Sequence, residues 1–105
     1  MSEKITRGSG NIFQDLGFEN PEEYRVKADL ALHIIKIIED RSLTQKEAAA
    51  LIGAAQPDIS KLKNGQLTGF TLDRLFSFLL RLNRNIEIRV TRARTKSGKL
   101  ATVAA

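Results

Sequence analysis

Gln56, Pro57, Ser60 and Lys61, with Asp58 and Lys63 beside them, form the exposed side of a short helical stretch in the middle of the chain. Their chemistry is hydrogen-bond readout. A glutamine amide can bridge N6 and N7 of adenine, a lysine can donate to O6 or N7 of guanine, and a serine hydroxyl can serve a phosphate or a base edge. Taken singly, each of these residues is equally well accounted for as part of a solvated helix face, so the weight falls on their spacing. Bond-making chemistry has less to work with. General acid-base or nucleophilic catalysis needs converging titratable groups. The chain offers one histidine, no cysteine and one tyrosine, with its carboxylates scattered over faces predicted to meet solvent. No phosphate-cradling glycine loop occurs, and neither an enzyme nor a cofactor is expected. His33, alone and without a cysteine, reads as a packing or surface residue and not as a metal ligand.

Two helices and a tight turn are needed to hold that polar side in place. Thr44 caps a helix that starts at about Gln45, and Glu47, three positions on, reaches back to the Thr44 amide to complete a capping box. Ala48, Ala49, Leu51 and Ile52 give this helix its apolar side, and Gly53 supplies the left-handed residue that ends it. Pro57 is tolerated only in the first turn of a helix, so the next one starts at Ala55 or Gln56, about three residues later. Ile59 and Leu62 face back onto the first helix, and Asn64-Gly65 closes the second after roughly two turns.

This unit resembles the phage-repressor-like (Cro-type, or XRE) helix-turn-helix family. That unit wants Gln first, Ala fifth, Gly ninth, Gln twelfth and branched apolar residues fifteenth and eighteenth. Gln45, Ala49, Gly53, Gln56, Ile59 and Leu62 stand at those places. The resemblance implies that Gln45 holds a phosphate and braces Gln56, which reads a base. Pro57 and Lys61 join Gln56 on the base-reading side, while Ser60, Lys63 and Asn64 join Gln45 on phosphates. One departure stands out: the position before Gln56 is usually Ser or Thr, and here it is Ala55. The second helix therefore lacks a side-chain cap, and its first amides are expected to meet a phosphate or water.

The surrounding elements read as scaffold. Asn20-Pro-Glu-Glu23 starts a helix from about Pro21 to Arg41, with Asn20 as cap and Glu23 placed to complete the box. Val26, Leu30, Ile34 and Ile37 form one apolar row along it, with Ala31, Ile35 and Ile38 beside them. Thr71 caps a further helix running to about Leu82, on which Leu72, Leu75, Phe76, Leu79 and Leu80 make the apolar face. Phe78 falls off that stripe, which suits either the edge of the core or contact with a second chain. After Asn83-Arg-Asn85, Ile86, Ile88 and Val90 alternate with polar residues as in a half-buried strand. No second strand is evident, so this one is expected to pair with another copy of itself, setting two reading helices about 34 to 36 Å apart on one face of DNA.

At 105 residues, 42% hydrophobic and 28% charged, the chain has room for one modest core. Its longest apolar run, Ile34-Ile35 with Ile37-Ile38 around Lys36, is too short for a bilayer span. The opening MSEKITRGSG has no apolar stretch of signal-peptide type. The net charge of +5 is unevenly spread. Residues 1–40 hold five basic and eight acidic side chains, a net of −3, which leaves +8 for the remainder. That asymmetry favours a polyanion facing the C-terminal two thirds, though a solvated mixed surface would also carry it. The expected organisation is a flexible leader over residues 1–10, a helix-turn-helix domain with its dimerisation strand over 11–92, and a basic, disordered tail over 93–105. The fold class is all-α, a bundle of four to five helices with a C-terminal β-strand.

A narrower resemblance covers about Asn11 to Val90. GNIFQDLGFENPEEY, LTQKEAAALIGAAQPDISKLKNG and GFTLDRLFSFLLRLNRNIEIRV are similar to the HigA-like antitoxins and their XRE-type relatives in bacterial toxin-antitoxin modules. The family implies a cytoplasmic homodimer that binds its operator in double-stranded DNA, represses its own operon and neutralises a small basic RelE/HigB-type ribonuclease toxin. Phe13, Phe18 and Tyr24 are candidate toxin contacts, with capping of the core as the plainer account. The alternative is a stand-alone XRE-type regulator without a toxin, which shares every DNA-facing residue. Neither a membrane nor a small-molecule substrate is expected as partner.

Overall fold

The computed structural model describes residues 20–103, so the leader expected over residues 1–10, and Phe13 and Phe18, lie outside the described residues. Among the described residues four helices follow one another: α1 Pro21–Asp40, α2 Gln45–Ile52, α3 Gln56–Lys63 and α4 Leu72–Arg81. Each begins where local chemistry satisfies a free amide. Asn20 Oδ1 accepts from the Glu22 amide at 2.9 Å, and Thr71 Oγ1 accepts from the Arg74 amide at 3.1 Å. At α2 the box is complete: Thr44 Oγ1 accepts from Glu47 N at 3.0 Å, and Glu47 Oε1 accepts from Thr44 N at 2.9 Å. Such caps are worth about 0.5–2 kcal/mol each, a large share of the stability of an eight-residue helix. The box expected at α1 is built differently, because the Glu23 carboxylate pairs with Lys27 at 3.4 Å.

The helices pack α2 on α3, α1 on α4, α1 on α3 and α2 on α4. Ile34, Ala48, Leu75 and Leu82 are wholly excluded from solvent, with Ile52, Ile59 and Leu67 close behind. The small residues Ala48 and Ala49 lie where α2 crosses its neighbours, and a larger side chain there would overpack the crossing. Two long-range hydrogen bonds tie the frame together. Arg41 Nη2 donates to the Leu82 carbonyl at 2.8 Å, joining the ends of α1 and α4. The Tyr24 hydroxyl donates to the Gly65 carbonyl at 3.1 Å, joining the start of α1 to the end of α3.

Two expectations are corrected on α4. Phe78 is a core residue, 2% exposed, with its ring edge-on to Phe70 at 6.2 Å between centroids. Leu80, placed on the buried stripe, is 56% exposed. The apolar residues of this helix cover more than one face. The sector that is buried is set by α1 and α2, against which Leu75, Phe78 and Leu79 are turned.

The third correction concerns the strand. Among the described residues none is in a β-strand, and the segment after α4 runs without regular structure. A strand needs a neighbour to take its backbone hydrogen bonds, and none of the described residues pairs with this segment. Ile86 packs against the core, while Ile88 and Val90 are exposed. The tail then passes along α1: the Leu100 amide donates to Glu22 Oε1 at 3.3 Å and the Thr102 hydroxyl to Asp29 Oδ2 at 2.5 Å.

Candidate nucleic-acid interface

The turn between α2 and α3 is built on Gly53, whose φ of 76° is left-handed. Its amide bonds back to the Ala49 carbonyl, and the Ala54 amide bonds to the same oxygen at 2.9 Å. A side chain at this position would meet strain from the backbone and a close approach by Arg81, whose Nη1 lies 2.7 Å from where a Cβ would stand. The result is a short connection that leaves α3 resting on α2 through Ile59 and Leu62, both buried. Gln56, Pro57, Lys61 and Lys63 are exposed, and Ser60 is half-buried. Asn64 caps the C-terminal end, its amide donating to the Ser60 carbonyl at 3.0 Å, and Gly65 follows at φ 75°.

Gln45, at the first position of α2, is half-buried and meets α3 directly. The Ser60 hydroxyl donates to Gln45 Oε1 at 3.2 Å. The bracing implied by resemblance was between Gln45 and Gln56; the side chain that Gln45 braces here is Ser60. This alters the division of roles. A hydroxyl has one O–H to donate, and that of Ser60 points to Gln45 Oε1, so towards any other group Ser60 is left as an acceptor. The Gln45 amide keeps both of its N–H donors, and these suit a phosphate oxygen.

The start of α3 is held by a pair that the spacing of polar residues did not reveal. Ala55 has no side-chain acceptor, but Asp58 reaches back and Oδ2 accepts from the Ala55 amide at 3.1 Å. The same oxygen accepts from Arg74 Nη2 on α4 at 2.9 Å. The Arg74 guanidinium lies over the rings of Phe70 and Phe78, at 5.0 and 5.4 Å from their centroids. The Ala55 amide bond holds the Asp58 carboxyl below its ordinary range, assisted by Arg74 and Lys61 and opposed by burial. The Asp58 carboxylate is thus engaged within the protein, by the Ala55 amide and by Arg74. Asp58 stands three positions after Ala55, the spacing of half a capping box, a signal that the expectation of an uncapped helix passed over; Arg74 left no local signal.

Comparison with known proteins bears directly on this geometry. Residues 12–91 match a family model described as a helix-turn-helix domain. A solved structure named, provisionally, as an XRE-family transcriptional regulator is 34% identical, with a TM-score of 0.72, over 80% of this chain and 97% of that one. The chain belongs to the XRE family of helix-turn-helix proteins. No curated protein matches. The second helix of the motif is α3, whose Gln56, Pro57, Lys61 and Lys63 are exposed. In this XRE-family chain no group of three or more His, Cys, Asp or Glu residues suited to a metal occurs among the described residues. No described helix is long and apolar enough to cross a membrane.

Proposed function

We propose that this chain is a sequence-specific DNA-binding transcriptional repressor that lays α3 in the major groove of its operator. The observation that carries the reading is the exposed row Gln56, Pro57 and Lys61 on a short helix seated on α2 by two buried anchors. Gln56 and Lys61 read base edges. Gln45, with Lys63 and Asn64, holds the backbone, where it fixes register without reading sequence. Family membership and the provisional name of the 34% identical structure support the assignment.

The binding species in this reading is a homodimer. Ile88 and Val90, 77% and 91% exposed, lie on a segment without regular structure whose backbone groups have no ladder partner among the described residues. Pairing of that segment over Ile86 to Val90 with its equivalent would form the strand and place two α3 helices on one face of the duplex. In the antitoxin form of the proposal, which rests on sequence resemblance, the same dimer also binds a small basic ribonuclease. Copurification with the product of an adjacent short reading frame tests that part by itself.

Fluorescence anisotropy on a labelled duplex from the chain's own upstream region, against a scrambled duplex at near-physiological salt, tests the DNA assignment. A clear preference for the upstream duplex that is lost in Gln56→Ala supports the repressor. Equal weak binding to both duplexes rules it out.

A further inference from the structure

We propose that Arg74 is a positioning residue for base readout, fixing the first turn of α3 through Asp58 while neutralising the one carboxylate that stands on the reading helix. The inference rests on the DNA-reading function proposed above and adds to it a residue on another helix.

The first turn of α3 holds Gln56, yet the residue before it, Ala55, cannot cap. The turn is closed from within by Asp58, whose Oδ2 takes the Ala55 amide at 3.1 Å and Arg74 Nη2 at 2.9 Å. One oxygen therefore links the start of the reading helix to α4. The link is stiff at its far end. Arg74 packs over Phe70 and Phe78, both 2% exposed and edge-on to each other, so the guanidinium cannot wander without leaving two fixed rings. A charge-assisted hydrogen bond to a planar, boxed donor fixes direction as well as distance.

The second half of the argument is charge. Asp58 is the one acidic residue of α3 and comes two positions after Gln56. Without a partner its negative charge would face the phosphates that the helix approaches. Arg74 cancels it from the protein side. The Arg74 side chain is itself 41% exposed, so it meets Asp58 at the protein surface and not in the core.

The test uses the full chain and two readouts. In the free protein, amide hydrogen exchange at Ala55 reports the Asp58 bond; Arg74→Gln is expected to speed it on the order of tenfold, the worth of one loosened charge-assisted bond. On DNA, Arg74→Gln is expected to cost about tenfold on the upstream duplex and much less on a scrambled one, so the ratio between them shrinks. Arg74→Lys restores the charge without the planar fork. It is expected to recover scrambled-duplex binding and not the ratio. Asp58→Asn keeps an acceptor for Ala55 but removes the charge and releases Arg74, so binding to the scrambled duplex should tighten, with a salt slope steeper by about one, while the ratio between the duplexes shrinks as it does in Arg74→Gln. This variant also stands in should Arg74→Gln fail to fold by thermal melting.

Unchanged exchange at Ala55 in Arg74→Gln, or full recovery of the ratio in Arg74→Lys, overturns the positioning role. Equal binding of the unsubstituted protein to both duplexes overturns the DNA-reading function instead. Exchange at Ala55 then decides alone whether Arg74 fixes α3.

Discussion

The hydroxyl of Ser60 donates to Oε1 of Gln45 across 3.2 Å, so the first residue of α2 and the middle of α3 share one hydrogen bond. The bond orders the two phosphate-side candidates. In the proposed complex with DNA, Gln45 would offer its donors to a phosphate while Ser60 supports it from behind. Gln45→Ala should therefore weaken binding to specific and scrambled duplexes alike, by about 1 kcal/mol or somewhat more. Ser60→Ala should cost less on both, because it removes a brace and not a donor. Equal losses for the two variants in an anisotropy titration would count against this assignment.

Gln56 carries the opposite expectation. Its side chain is exposed at the first position of α3. Replacement by alanine should cost roughly 1–3 kcal/mol on the specific site and relax the choice of base at one position. A binding-site selection with the variant checks it: an unchanged consensus sinks the assignment.

Gly53→Ala tests the turn. The left-handed φ of 76° penalises any Cβ, and Arg81 stands close to where that Cβ would be. Because Arg81 is the end of a flexible side chain, the backbone conformation should dominate, at roughly 1–2 kcal/mol. Chemical denaturation should then show nearly the same loss for Gly53→Ala in an Arg81→Ala background. If the loss vanishes there, the clash was the cause.

Acid sensitivity follows from Asp58. Its folded-state carboxyl is held below the ordinary value, so it contributes stability that is fully present above about pH 4, the unfolded carboxylate value. That contribution drains away as pH falls through the lower folded value. Asp58→Asn should therefore flatten the stability profile below about pH 4 and leave its shape unchanged at neutral pH. Equally steep acid profiles for both proteins in urea melts would remove Asp58 from the account.

Phe78 offers a test of the corrected core. Fully packed against Phe70 and under Arg74, it should cost about 3–5 kcal/mol when replaced by alanine, enough to unfold much of a small domain. Leu80→Ala, on the exposed side of the same helix, should cost far less by the same thermal melt.

The pattern of what was legible in the sequence has a physical basis. Thr44 with Glu47, Asn20 and Thr71 announced three helix starts correctly, because a cap and the amide it satisfies are two or three residues apart. Gly53 and the buried pair Ile59 and Leu62 were equally visible, since they belong to one short motif. Phe78 was misplaced because the apolar residues of α4 fill more than half of its circumference, and only the third dimension chooses among them. Arg74 and Asp58 are sixteen residues apart and carry no local mark of each other. The alternation of Ile86, Ile88 and Val90 predicted a strand that the described residues do not form, because alternation marks which side chains could share a face and not whether a neighbouring backbone is there to pair.

The long-range bond from Tyr24 to Gly65, together with that from Arg41 to Leu82, means that the motif is gripped from outside. Residues 44–65 contain two eight-residue helices, each too short to persist alone in water. A peptide of that span, or its transplantation onto a foreign scaffold, would lose the clamp supplied by α1 and α4 and with it the angle of α3. If α3 reads DNA as proposed, a change of specificity in this chain is to be sought by replacing individual outward side chains on α3 in place, leaving Asp58 and its clamp untouched, and not by moving the motif as a cassette.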